Sequence, residues 1–194
     1  MSQNIPRFLP ETPLPSLEEV ADLWDRYDMM PHIRDHSLMV ARVALTLHDW
    51  LAEAGLNLWR PAVEVGALLH DIAKTPCIRT GCRHQEVGAE ILAAEGYPEL
   101  AYLVGAHVHL PPEQPLDETM LVNYADKRVN HDQVVALEER YAYIMERYAV
   151  GDPDKAERIA HGRERAFEAE RRIFQRIGGG RSPLDLASAV GKAA

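Results

Sequence analysis

Cysteine is scarce in this sequence: Cys77 and Cys82 are the whole complement. No second pair stands ready to complete a zinc ribbon, so the expectation is two free thiols in a loop, in keeping with a reducing compartment. Long apolar runs are also missing. None nears the ~18 residues of a membrane-spanning helix, and the first fifteen residues lack the basic-then-apolar layout of a secretory signal. A cytoplasmic protein with no membrane partner is expected. Basic residues are outnumbered, 21 Lys and Arg against 30 Asp and Glu for a net charge of −9. That opposes duplex nucleic acid as a partner, which calls for a clustered basic face. A small phosphorylated substrate stays compatible, because bound cations invert the local field. Alternating strand-like segments, a βαβ rhythm and internal repeats are absent. So are the G-x-S-x-G, P-loop and H-E-x-x-H patterns.

What remains is a chain with 46% hydrophobic and 26% charged residues, enough to bury a core in one domain with appendages. Residues 1–15 carry Pro6, Pro10, Pro13 and Pro15 and read as an extended or poorly ordered arm. Ser16 reads as an N-cap, with Glu18 and Glu19 in the first turn. The spacing predicts further helices from Pro31 to about Ala54 and from Pro61 to Pro76. Others are expected over Gln85–Glu95, Glu99–His107, Glu118–Asn130, Gln133–Tyr148 and about Asp154–Ile177. Thr75–Arg83 reads as a loop. The expected fold is all-α, an irregular bundle of seven or eight helices. Residues 16–150 would form the main domain, 151–180 a charged helix packed on that domain or on a second copy, and 181–194 a flexible tail.

Ionisable residues interrupt these apolar helices where a core has no use for them. His36 lies in RDHSLMVARVA, His70 and Asp71 in GALLHDIAK, His84 opens HQEVGAEIL, His107 closes AYLVGAHVHL and Asp126 lies in LVNYADKRV. One such residue is ordinary. Imidazoles and carboxylates converging from five helices are best neutralised by divalent metal. On a continuous helix His70 and Asp71 would stand about 100° apart, with both still able to reach one cluster.

The order His36 … His70-Asp71 … Asp126 resembles the H…HD…D signature of the HD-domain superfamily of metal-dependent phosphohydrolases. LLHDIAK is similar to the superfamily's HD-[IL]-[GA]-K core, HQEVGAEIL to its H-x-x-x-G-A element, and YADK to its closing Asp motif. The likeness covers about residues 27–150. It implies an all-α HD-domain fold in which His36, His70, Asp71 and Asp126 hold one divalent ion. His84 and His107 match the additional histidines of two-metal members, a pattern similar to the bacterial diadenosine tetraphosphate hydrolases of the superfamily. Asp71 would then bridge two ions, whose identity (Fe, Mn, Co, Ni, Mg or Zn) the resemblance leaves open. Gly96-Tyr97-Pro98 spells the GYP of the cyclic-dinucleotide phosphodiesterases, but a helix end followed by a helix start explains it.

The implied activity is hydrolysis of a phosphate ester or anhydride of a nucleotide-like substrate by metal-activated water. Asp71 and Lys74 are the expected catalytic residues. Lys74, Arg79, Arg83, His109 and Lys127 are the expected substrate contacts, with Arg128 a weaker candidate. His107 continues the apolar face of Leu103 and Val104, and His109 then falls at the pocket rim. Two other functions compete: a regulatory nucleotide-binding module without turnover, and an HD-type di-iron oxygenase. A homodimer is compatible with the charged last helix.

Overall fold

A 23-residue helix, Pro31–Glu53 (α2), is the spine on which the other elements pack. Pro31 sits at its first turn, where a missing N–H costs nothing. Ile33, Val40, Val43, Ala44 and Leu47 recur along one side and are all buried. Each large aliphatic side chain removed from water in this way stabilises the fold by about 1.5–3 kcal/mol. The computed structural model describes residues 5–192.

The helices are α1 (Leu17–Arg26), α2, α3 (Arg60–Leu69), α4 (Lys74–Thr80), α5 (His84–Ala94), α6 (Pro98–Ala106), α7 (Glu118–Lys127), α8 (Leu137–Tyr148), α9 (Pro153–Ile177) and α10 (Leu186–Lys192). The expected all-α bundle is what forms, with a single short antiparallel hairpin among the described residues, β1 (Val129–Asn130) and β2 (Gln133–Val134). Among those residues no helix is long and apolar enough to cross a membrane. α3 and α7 lie against α2, α5 pairs with α6, and α8 pairs with α9. Ser16 caps α1 in a full capping box with Glu19.

Five local expectations are corrected. The helix expected from Pro61 to Pro76 ends at Leu69; residues 70–73 form a turn and α4 begins at Lys74. Pro76 therefore falls in the first turn of a helix rather than after its end, since there its ring displaces no hydrogen-bonded N–H. The expected Thr75–Arg83 loop is largely this helix, which stops at Gly81 with a left-handed φ of 74°. That reversal brings Cys77 and Cys82 to a Cα separation of 4.7 Å, where they form a disulfide instead of free thiols. The cysteines thus no longer speak for a reducing compartment. Residues 129–134 are a hairpin instead of the ends of two helices, because His131 takes a left-handed φ of 55° at its tip.

The fifth correction concerns the expected flexible tail. Residues 183–185 form a 3₁₀ turn, and α10 returns to α2 with Leu186 and Val190 buried in the common core. Those two residues are four apart, so they share a helix face. The described part of the N-terminal arm is irregular, with a turn in which Thr12 N donates to Leu9 O at 2.9 Å, and Phe8 inserts into the same core. α9 contributes Ala166, Ala169, Ile173 and Ile177 to it, so its apolar face is spent on the domain itself.

The spacing of α3 and α6 depends on one glycine. A Cβ on Gly66 would lie 2.8 Å from Leu103 Cδ1, so any larger residue must displace the buried Leu103 side chain between the two helices. This contact sets the C-terminal ends of α3 and α6 side by side. Gly66→Val is expected to destabilise the protein by roughly 1–3 kcal/mol through overpacking, read as a lower denaturant midpoint at unchanged slope. An unaltered midpoint would contradict this packing.

Candidate metal centre

Six side chains meet where the ends of α3, α5, α6 and α7 converge on α2. His36 comes from the second turn of α2, and His70 caps the C-terminus of α3. Asp71 follows in the 70–73 turn, His84 opens α5, His107 caps α6, and Asp126 lies in the last turn of α7. The helix break therefore changes the geometry expected for His70 and Asp71. His70 keeps helical backbone angles, while Asp71 is released from the helix and turns its carboxylate into the cluster.

The carboxylate of Asp71 divides the cluster. Its Oδ2 lies 3.3 Å from His70 Nε2 and 3.9 Å from His36 Nε2, and Asp126 Oδ1 lies 3.1 Å from that same His36 atom. Its Oδ1 lies 3.2 Å from His84 Nε2 and 3.7 Å from His107 Nε2. The imidazole rings of His70 and His107 have centroids 5.0 Å apart. All six residues except His84 are nearly inaccessible to solvent.

Backbone carbonyls orient three of the imidazoles. His70 Nδ1 is 2.7 Å from Ala67 O, His107 Nδ1 is 2.6 Å from Val104 O, and His36 Nδ1 is 2.7 Å from His131 O at the hairpin tip. A carbonyl only accepts, so each Nδ1 carries the proton and each Nε2 turns a lone pair on the cluster. Those lone pairs face carboxylate oxygens. His36 Nε2 opposite Asp126 Oδ1 is two acceptors in contact unless a proton or cation lies between them. His70 Nε2 and Asp71 Oδ1 are buried with no hydrogen-bond partner at all. Orphaned acceptors of this kind are costly, and a divalent cation bound by nitrogen and oxygen satisfies them. The residues present thus fit divalent metal. His36, His70 and Asp126 form one group able to hold an ion, and His70, Asp71 and His107 another.

Charge within the cluster keeps both carboxylates ionised and His107 neutral, the forms that bind metal. Burial opposes ionisation of Asp71, but Lys74 and His70 outweigh it and hold its pKa well below the usual range. Asp126 behaves likewise through Lys127 and His36. Burial, with His70 and His84 beside it, drives the His107 pKa well down, leaving a neutral imidazole. Burial also works against charging His70, yet Asp71 and Asp126 pull its pKa up.

The other predicted residues separate. Lys74 reaches the centre, its Nζ 2.6 Å from Asp71 Oδ2 and partly open to solvent. Lys127 is buried, donating to Asp126 Oδ2 at 2.7 Å and His107 O at 3.0 Å. His109 lines a neighbouring cavity between α8 and α9. Arg83 is exposed and pairs with Glu86, and Arg79 is exposed on α4. Arg128 is spent on Tyr124, Glu170 and two backbone carbonyls. Sequence reasoning missed Asn123, which fixes His107 by donating to its carbonyl at 2.7 Å. It also missed the α8 residues Arg140, Tyr143 and Arg147 beside the centre. Their i, i+3, i+7 spacing was the available signal.

Asp71→Ala is expected to reduce metal content about tenfold or more, as loss of a shared ligand should, measured by elemental analysis of chelator-free protein. His84→Ala is expected to lower content from about two ions to about one, leaving the site around His36 filled. Unchanged metal in Asp71→Ala would refute the assignment.

A family model described as HD domain matches residues 33–130, just over half of the chain. No curated protein and no solved structure matches significantly. The matched segment runs from the start of α2 to β1 and contains all six clustered residues. In fold and in sequence, this chain belongs to the HD-domain family, whose members bind divalent metals and are associated with metal-dependent phosphohydrolysis.

Proposed function

We propose that this protein is a metal-dependent phosphohydrolase that cleaves a phosphate ester or anhydride of a nucleotide-like substrate. One observation carries the reading: the buried carboxylate of Asp71 turns each oxygen toward a different set of imidazoles. His36, His70, Asp126 and one Asp71 oxygen would hold one ion; His84, His107 and the other oxygen would hold a second. Divalent cations there supply Lewis acidity for activating water and for stabilising charge on a phosphoryl group.

The chain's own residues do the rest. Lys74 donates to Asp71 Oδ2 and turns its remaining donors to the open side, where a phosphate oxygen is its natural acceptor. Lys127 keeps Asp126 ionised and, with Asn123, locks the His107 backbone. A cavity of about 340 Å³ opens beside His84, walled by Tyr141, Ile144, Tyr148 and Ile159 and edged by Lys155 and Arg158. Its apolar walls and basic edge suit a flat base with a phosphate attached, which supports a nucleotide over a simple phosphate ester.

The test is phosphate release from a nucleotide panel under anaerobic conditions with Mn²⁺, Co²⁺, Fe²⁺, Ni²⁺, Mg²⁺ or Zn²⁺. Release that chelator abolishes, and that Asp71→Ala lowers at least about a hundredfold, is expected. Nucleotide binding without turnover across all these ions would overturn the proposal. Metal at about a hundred times its dissociation constant should also stabilise the fold by about 2.7 kcal/mol, seen as a rise in Tm that chelator reverses.

A further inference from the structure

On the His36 and Lys74 side of the centre lies a second cleft of about 340 Å³, unlike the apolar cavity in character. Asn130, Arg140, Tyr143, Arg147 and Tyr148 form its outer wall. The chain as a whole is acidic, with 30 Asp and Glu against 21 Lys and Arg, yet no acidic side chain among the described residues lines this cleft. Its cations come from two sources: Lys74 at the metal centre, and Arg140 and Arg147 on α8, seven residues and so two turns apart on one face.

Arg140 is the residue with capacity to spare. Its Nη1 donates to Asn130 Oδ1 at 3.0 Å, an uncharged acceptor, and its Nε is buried without any partner. A guanidinium offers five N–H donors in a rigid fork matched to phosphate or carboxylate. Leaving one of them buried and unpaired is unfavourable unless an acceptor arrives. The aromatic face of Tyr143 fixes the fork, with Arg140 Cζ 5.9 Å from the ring centroid. Arg147 lies over the same ring at 5.9 Å and over Tyr148 at 5.7 Å, presenting a second guanidinium at the mouth. Tyr148 walls both cavities, so a ligand lying across the metal centre would enter the apolar cavity with one end and the cationic cleft with the other.

We infer that Arg140, assisted by Arg147, binds a phosphoryl group other than the one that reacts, so that the protein selects substrates carrying at least two phosphoryl groups. The inference rests on the proposed phosphohydrolase reading for its reacting group, but the cleft is testable without it. α8 lies beyond residues 33–130, so this selection is built from the chain's own C-terminal part.

The test begins with calorimetric titration of inorganic pyrophosphate into the metal-free, full-length protein. Binding is expected, weakened about tenfold or more by Arg140→Gln and only partly restored by Arg140→Lys, which keeps charge but loses the fork. Arg171→Gln, which removes one charge from an exposed pair with Glu168 on α9, should leave binding unchanged. With metal-loaded enzyme, Arg140→Gln should lower the ratio of kcat/KM for a nucleoside diphosphate over its monophosphate about tenfold, through KM and not kcat. Wild-type pyrophosphate affinity in Arg140→Gln, equal losses in the Arg140 and Arg171 variants, or an unchanged ratio would each overturn the inference. If no nucleotide is hydrolysed with any metal, the phosphohydrolase reading fails, and the pyrophosphate titration still decides the cleft.

Discussion

Two carboxylates are buried together at the centre of this bundle, and much of the surrounding structure exists to make that tolerable. Each is paired with a lysine at close range: Lys74 with Asp71 Oδ2, the oxygen that also faces His70 and His36, and Lys127 with Asp126 Oδ2. Both oxygens of Asp71 and Oδ1 of Asp126 face imidazole nitrogens. Such an arrangement is unfavourable as a purely protein interior. It becomes favourable once divalent cations occupy the space, and the cost of holding the ligands apart is met by packing elsewhere in the fold.

Helix ends are the means by which the ligands are held. The last carbonyls of a helix have no partner within it. In α3 and α6 the i−3 carbonyls of Ala67 and Val104 accept from the Nδ1 of His70 and His107, which satisfies the helix end and sets the tautomer in one contact. His36 obtains the same restraint from the hairpin tip at His131, far away in sequence. The close Gly66–Leu103 contact packs α3 against α6, whose ends carry His70 and His107 with ring centroids 5.0 Å apart. Displacing one helix by an ångström would disturb metal ligands, tautomers and cavity together.

α8 and α9 add a second layer to this centre. Their paired faces leave an apolar cavity beside His84, while the other side of α8 presents arginines and tyrosines near His36. The six clustered residues lie within residues 33–130, and α8, which walls both cavities, lies beyond them. The charge contrast is local. Lys74, Arg140 and Arg147 line a cleft that no acidic side chain among the described residues enters, in a chain that is acidic as a whole.

Much of this was legible in the sequence because its signals are local and periodic. Apolar spacing near 3.6 residues defined the eight main helices, and ionisable residues set into those apolar stretches singled out the six that converge. Proline was ambiguous, since Pro76 can end a helix or sit in the first turn of one, and only packing chose the latter. Convergence itself is also beyond local pattern. Cys77 and Cys82 met through a left-handed glycine, α10 docked because α2 offered a face, and His131 reached His36 through a turn. The same holds for cations: Arg79, Arg83 and Arg128 carry the same guanidinium as Arg140, but their neighbours or exposure take them away from the centre. Residue type and periodicity therefore determined the fold class and the kind of chemistry. Which ligand faces which, and which arginine keeps a donor free, depended on long-range contacts that only the folded chain contains.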